Sequence, residues 1–290
     1  MHNLRSRLSS KTILSFLKRW YVYIVLLMIY VPLVFIVILS FSAPTARGNI
    51  NPNFTTPTVI NYLNLWENNE FLNALFNSLL LSVVVVPISL LLAIVTCFGM
   101  WQSKSYQKKM VDFSTKLTVV NPEAITGISL ALLFSSTWVA LGFNLGFFTV
   151  VLAHISFCTP YAILAIYPRM AKMNRNQLLA SYDLGRSKMS TFFKITVPYL
   201  MPAILSGMAI VLAMSLDDYV ITNLVNGSFQ TLGTLIYSTR KGIKAWIITF
   251  GALVVIVTVL TILVIGIYKY TRMKKVNKKN SQFSRTKEEL

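Results

Sequence analysis

Long apolar runs without a single charge alternate along this chain with short basic segments. Residues 20–46 carry no charge and are densest in apolar side chains at 21–41. The same holds for residues 71–103, 124–168, 195–216 and 245–268. A helix crosses the hydrocarbon core of a bilayer with roughly 20 apolar residues. Four of the runs therefore hold one span each, whereas 124–168 is long enough for two. Gly142 and Gly146, around Phe143-Asn144-Leu145, supply the turn that divides it. The pattern predicts six spanning helices, at about 21–41, 74–99, 123–141, 147–167, 197–218 and 246–268. Pro87 kinks the second rather than ending it, since proline is tolerated inside membrane helices. The first run exceeds the roughly 7–15 apolar residues of a signal peptide and is read as a retained helix that starts at Arg19 and Trp20.

Basic residues orient these helices. Arg5, Arg7, Lys11, Lys18 and Arg19 precede the first helix; Lys104, Lys108, Lys109 and Lys116 come after the second. Arg169, Lys172, Arg175, Arg186, Lys188 and Lys194 come after the fourth. Lys269, Arg272, Lys274, Lys275, Lys278, Lys279, Arg285 and Lys287 fill the tail. With alternating helices all of these lie on one side, and the other side has only Arg47, Arg240, Lys241 and Lys244. Basic residues mark the cytoplasmic face, so both termini are expected there, in a multi-pass protein of the cell (plasma) membrane. Residues 1–19 form the N-terminal segment, 20–268 the transmembrane domain and 269–290 a basic tail.

Composition agrees. The chain of 290 residues is 55% hydrophobic and 12% charged, against about 25% charged in a soluble domain. That excludes disorder, a coiled coil and an ordinary soluble enzyme. A net charge of +18 on so apolar a chain does not suit a nucleic-acid binder, which needs a charged face on a soluble domain. The tail is read as positive-inside topology and a solvated end rather than a site for nucleic acid or anionic lipid. Cys97 and Cys158 both fall in apolar runs and read as small buried hydrophobes.

The segment 169–197, between the fourth and fifth helices, is too long for a simple connection. Its apolar positions, Met170, Met173, Leu178, Leu179, Tyr182 and Leu184, have helical spacing. Gly185 then interrupts, a second short helix carries Phe192 and Phe193, and Pro198 opens the next span, where its missing N–H costs nothing. Spacing alone leaves two readings open, an amphipathic segment on the membrane surface or a docking element. The residues themselves, Leu179-Ala180-Ser181-Tyr182-Asp183-Leu184-Gly185 and then Ile195-Thr196-Val197-Pro198, resemble the EAA loop of ABC importer permeases. In that family the loop docks into a groove on the ATPase. The resemblance assigns ATPase coupling to Ala180, Asp183, Leu184, Gly185, Phe192, Phe193 and Pro198. Two positions depart from the pattern: Leu179 stands where the family has Glu, and Ser181 replaces an Ala, which puts one polar ATPase contact in doubt.

Other segments resemble the polyamine (spermidine/putrescine) branch of these permeases. They are Met214-Ser215-Leu216-Asp217-Asp218-Tyr219-Val220-Ile221, Asn226-Gly227, Thr231-Leu232-Gly233-Thr234, Asn121-Pro122-Glu123 and Gly127-Ile128-Ser129-Leu130. The resemblance covers roughly residues 15–270 and implies an all-α fold of the type I ABC importer permease class with six transmembrane helices. It also implies an ATPase dimer, a second homologous permease and an extracellular polyamine-binding protein as partners, besides membrane lipid.

The chain has nine acids. Asp112, Asp183, Glu288 and Glu289 fall on the cytoplasmic side, and Glu67 and Glu70 precede the second helix outside. Glu123, Asp217 and Asp218 remain in or at the ends of spans. A carboxylate deep in a bilayer costs roughly 2.5–3.5 kcal/mol and faces a protein interior or an aqueous path. Adjacent aspartates also repel each other, and a cationic ligand relieves both costs. Asp217, Asp218 and Glu123 are therefore candidate cation ligands, with Tyr219 and Trp66 as aromatic faces and Ser215 as a hydroxyl partner. The pair also fits a water boundary at the outer end of the fifth helix, or ion pairs with Arg240 or Lys241. Glu123 is placed near the cytoplasmic end of the third helix, and Trp66 also fits an interfacial anchor. His154 reads as a hydrogen-bonded interior residue rather than a metal ligand. Residues 219–239 are uncharged but rich in Thr, Asn, Gly and Gln, and are expected to form a short half-inserted helix and an outer loop.

The chain lacks a phosphate-cradling Gly-x-x-x-x-Gly-Lys-Ser/Thr loop, so ATP hydrolysis belongs to a separate subunit. Neither a His-Glu-x-x-His motif nor a cysteine pair at zinc spacing occurs, and no metal or cofactor is expected. The reading is a transport role, with polyamines as the solute. A permease for another solute such as a metal cation, or an intramembrane carboxylate enzyme, are the alternatives.

Overall fold

The computed structural model describes the backbone of residues 2–288 apart from Thr55, Arg240 and Lys241, and side chains between residues 20 and 274 apart from the same three. The side chains of the basic residues before Trp20 and after Lys274, and the whole of the Arg240 and Lys241 offered as partners for the aspartates, lie outside what is described.

Described elements are helical: α1 (His2–Ser40), α2 (Ile60–Glu67), α3 (Asn69–Gln102), α4 (Ser105–Val120), α5 (Glu123–Phe134), α6 (Phe147–Ala171), α7 (Arg175–Asp183), α8 (Lys188–Thr191), α9 (Val197–Asp217), α10 (Val220–Val225), α11 (Leu232–Ser238) and α12 (Ala245–Glu288). Among the described residues, five helices are long and apolar enough to cross a membrane, or six if α4 and the stretch Glu123–Val139 count as one bent span. The chain divides into two units, one built from residues 1–68 and 239–290 and the other from 69–238.

In the first unit α1 packs on α12, and α12 also meets α2. Asn61 on α2 donates from Nδ2 to the carbonyls of Ser40 and Ser42, at 2.9 and 2.8 Å, closing the end of α1. Most side chains of the apolar part of α1 are exposed, Met28 by 77%. Such a surface is stable only in contact with lipid or with another protein.

The second unit holds the core. α3, α6 and α9 pack on one another through stripes with helical spacing. On α3 the buried stripe runs Phe71, Ala74, Ser78, Leu81, Val85, Ser89, Ala93 and Cys97, while Phe76, Val83, Leu91 and Val95 on the other faces are exposed. The buried stripe is rich in small residues, as expected where helices meet inside a membrane and backbones approach closely. Gly207 on α9 shows the same economy: a Cβ there would touch Leu90 and Ile166 at 3.4 and 3.6 Å.

The expected loop after the second span is a helix instead. Lys104, Lys108, Lys109 and Lys116 belong to α4 or its start, and Lys116 pairs with Asp112 one turn away at 2.7 Å. α4 does not stand out as a charge-free run because its charges sit inside the helix. Its continuation, expected as a separate helix from residue 123, is joined to it through a bend of 104°. The bend has a local cause. Asn121 is extended, at φ −64° and ψ 135°, as a residue ahead of proline tends to be, and Pro122 lacks the N–H that would continue the helix. The stretch 219–239 forms two short helices, α10 and α11, joined by a turn in which Gly227 adopts φ +53°.

Candidate functional site

α9 ends at Asp217, and the next residue turns the chain: Asp218 is extended, with ψ 125°. α10 restarts immediately after. Asp218 makes that restart possible, because its carboxylate accepts from the backbone N–H of Ile221 at 3.3 Å and of Thr222 at 2.8 Å. These are the free N–H groups of a helix's first turn, which an aspartate satisfies well. Gly233 of α11 lies against the backbone carbonyl of Asp218, where a Cβ would come within 2.8 Å.

The break aims three carboxylates at one place. Glu123, Asp217 and Asp218 line a cavity of about 330 Å³ whose other walls are Phe157, Ala213 and Met214. Glu123 starts α5 just after the bend at Pro122, so the bend carries it alongside the end of α9. The sequence names Glu123 as a candidate cation ligand beside the two aspartates but sets it near the cytoplasmic end of a helix; in the structure it lines the same cavity as Asp217 and Asp218.

The aspartates differ. Asp217 is exposed. The Asp218 side chain is only 4% exposed and is held by α10. Its Oδ2 also accepts from the Thr222 hydroxyl at 2.6 Å. Ser215 and Tyr219 are not among the side chains that line the cavity. Ser215 is buried and bonded to its neighbours: its Oγ lies 3.3 Å from His154 Nδ1 and 3.3 Å from Ser82 Oγ, which donates to it. Tyr219 stacks on Tyr237, with ring centroids 4.2 Å apart. Trp66 sits on α2 of the first unit and is 56% exposed. His154, read as an interior hydrogen-bonded residue, is fully buried between Ser215 and Thr222. Among the described residues, no cluster of His, Cys, Asp or Glu has the makings of a metal site.

Two larger cavities in this unit are chemically different. One of about 660 Å³ is lined by apolar side chains such as Leu90, Phe98 and Phe193, with Lys188 as its charge. Another, of about 500 Å³, carries Arg169 and Lys172. Neither offers a carboxylate to a cation.

The segment 169–197 is a helical hairpin. Asn174 caps α7 by accepting from the N–H of Asn176 at 2.9 Å, and Ser187 caps α8 by accepting from Ser190 at 3.3 Å. Between them Gly185 adopts φ +77°. Its N–H reaches the Tyr182 carbonyl at 2.8 Å, and that of Arg186 reaches Ser181 at 3.2 Å. This is the glycine-terminated helix end that satisfies the last carbonyls. The hairpin is closed by a buried bond of 2.8 Å between the Ser181 and Thr191 hydroxyls. Its tip presents Ala180, Asp183 and Leu184 outward, Leu184 by 82%.

Two contacts tie the hairpin to α3. Arg175 donates to the Trp101 carbonyl at 2.9 Å and lies over the Trp101 ring at 5.0 Å. Phe192 meets Phe98 edge to face at 5.0 Å. Phe193 packs on Phe192 and is otherwise exposed, and Pro198 stands in the first turn of α9.

Comparison with known proteins bears on this arrangement. The family model of the binding-protein-dependent transport system inner membrane component matches residues 11–273. A spermidine/putrescine transport system permease protein PotC homolog of Mycoplasma pneumoniae is 46% identical over 259 residues, 87% of this chain and 90% of that one. The spermidine/putrescine transport system permease protein PotC of Escherichia coli K12 is 30% identical over 215 residues, 73% of this chain and 78% of its own. Among solved structures, a bacterial ABC transporter involved in the import of the acidic polysaccharide alginate superposes with a TM-score of 0.64 at 14% identity, over 90% of this chain and 96% of that one. At that identity the likeness speaks for the fold, that of an ABC importer permease. The match over nearly the whole length, with five or six apolar helices behind it, makes this chain a transport permease and not an enzyme, and a member of the family of inner membrane components of binding-protein-dependent transport systems.

Proposed function

We propose that this chain is a permease subunit of an ATP-driven polyamine importer, and that Glu123, Asp217 and Asp218 form the cation-binding part of its path. The observation that carries the proposal is the convergence of three of the chain's few acids on one cavity of about 330 Å³. The names of the relatives supply the solute class. A polyamine is a thin chain of methylenes between ammonium groups. Carboxylates take the ammonium charges, and the Phe157 ring and Met214 side chain offer apolar and polarisable surface to the methylenes.

The same chain supplies the link to ATP. We assign the hairpin tip around Leu184 and Gly185 to the ATPase, which sits with a second permease and an extracellular binding protein in the complete transporter. α9 is then the mechanical connection. It begins at Val197, next to the hairpin, and ends at Asp217, in the cavity. Its 21 residues make a rigid rod roughly 30 Å long. Closure of the ATPase moves the hairpin, the hairpin moves α9 and α3, and the cavity changes the side to which it opens. Each state is favoured by the ligand that binds it better, ATP at one end and the cation at the other. In this assignment the hairpin is cytoplasmic, as are both termini.

The test is uptake of radiolabelled spermidine and putrescine by proteoliposomes containing the complete transporter and its binding protein. Asp217→Asn combined with Glu123→Gln should remove ATP-dependent uptake while leaving the complex assembled. Normal uptake by that double variant would refute the cation path. Unchanged uptake of both polyamines on deleting the subunit would refute the solute class.

A further inference from the structure

His154 is fully buried on α6, a helix long and apolar enough to span the membrane, and an ionisable residue in such a place is expected to serve the path. Its two nitrogens are bonded to two different helices. Nε2 lies 2.8 Å from Thr222 Oγ1 on α10, and Nδ1 lies 3.3 Å from Ser215 Oγ on α9. Thr222 in turn reaches Asp218 at 2.6 Å. The imidazole and the carboxylate are 3.6 Å apart, too far for a good direct hydrogen bond, so the Thr222 hydroxyl bridges them.

The bridge has a direction. An ionised carboxylate only accepts, so the Thr222 hydroxyl donates to Asp218. Its oxygen must then accept from His154, which places a proton on Nε2. In the neutral ring Nδ1 is left as an acceptor, and the Ser215 hydroxyl faces it. Asp218 thereby receives bonds from two backbone N–H groups and one hydroxyl, which fix the position of its carboxylate. Other groups around the ring are uncharged: Ser82 of α3 beyond Ser215, and Phe157, whose ring meets the imidazole at 5.0 Å. Cys158 is the other buried ionisable group nearby on α6.

We infer that His154 and Thr222 are positioning residues for the cation cavity: the Nε2 proton of His154 orients the Thr222 hydroxyl, which holds the Asp218 carboxylate fixed in the cavity wall. Neither residue needs to touch the cation. The inference rests on the proposed cation path and adds to it the two residues that hold one of its charges in place.

The experiment compares side chains that differ in where they present a donor. The readout is spermidine imported per ATP hydrolysed by the complete transporter in proteoliposomes, with the amount of assembled complex measured alongside. Thr222→Val keeps the shape and removes the hydroxyl; Thr222→Ser restores it. His154→Gln can place an amide N–H where Nε2–H was, whereas His154→Asn, also polar, places it at the Nδ1 position. Losing a hydrogen bond to a charged group should lower the cation-to-ATP ratio by about tenfold in Thr222→Val and His154→Asn, with recovery to within about twofold in Thr222→Ser and His154→Gln. Equal ratios for His154→Gln and His154→Asn, or a Thr222→Val variant that only reduces the amount of complex, would overturn the positioning role. Glu123→Gln separates the two levels. If it leaves the ratio unchanged, the cation path itself fails; if it lowers the ratio while Thr222→Val and His154→Asn do not, only the positioning role fails.

Discussion

Asp217 and Asp218 are neighbours with different work. Asp217 is exposed at the end of α9, whereas Asp218 is enclosed and holds the first turn of α10 through two backbone N–H groups. Removing a capping carboxylate costs about 1 kcal/mol, within a range of roughly 0.5–2, and an exposed substitution stays within about 0.5 kcal/mol. Asp218→Ala should therefore lower the melting temperature of the solubilised complex, and Asp217→Ala should leave it near the parent value. Thermal melts of the two variants check this, and equal melting temperatures would contradict the division of roles. The acids were legible in the sequence because charge is so scarce in the spans. Their difference was not, since Asp-Tyr-Val-Ile-Thr can be read as a helix start only once α9 is known to end at Asp217. The connection of His154 to Thr222 was also hidden: 68 residues separate them, and no local pattern announces a bond across two helices.

Among the elements, the hairpin α7–α8 was the most legible, because a glycine between two helical segments has one common structural use. Gly185 is required by its conformation and not by crowding: a Cβ there would meet nothing within 4 Å. A left-handed residue with a side chain costs roughly 1–2 kcal/mol, and asparagine tolerates that region better than a β-branched residue. Gly185→Val should uncouple ATP turnover from transport in the complete transporter, and Gly185→Asn should retain most of the coupling. Parallel assays of ATP hydrolysis and uptake decide it; full coupling in the valine variant would remove the hairpin from the drive train. Gly127 is the opposite case. Its helix α5 lies so close to α10 that a Cβ would stand 2.8 Å from Leu224 Cδ1 and 3.3 Å from Ile221 Cα. Overpacking of this kind costs about 1–3 kcal/mol. Gly127→Val should lower the melting temperature and, by shifting α10, depress uptake as well; a variant as stable as the parent would show that α5 and α10 can part freely. The least legible element was α4. Its charges lie within the helix, and a search built on charge-free runs discards it, so the bend at Pro122 and the position it gives Glu123 stayed out of view.

For the whole molecule, the helix inventory was readable from hydropathy because a bilayer demands long apolar helices. Orientation rests on the distribution of basic residues alone. It has a direct test, and the protein is well suited to it. Its two cysteines, Cys97 and Cys158, are fully buried with no exposed surface, so they give little background to a water-soluble thiol reagent. Leu184, at the hairpin tip, is 82% exposed. Leu184→Cys should react with a membrane-impermeant maleimide in inside-out vesicles and not in intact cells, since the hairpin is assigned to the cytoplasmic side with the other basic segments. Reaction from the outside would invert the topology and with it the direction of the proposed path. The same cysteine reports on assembly. Leu184 stands beside the turn at Gly185, on the tip assigned to the ATPase, and docking of the ATPase should cover it. Adding the ATPase dimer to the permease pair should therefore slow the labelling of Leu184→Cys. A labelling rate that does not change on addition would place the docking surface elsewhere on the molecule.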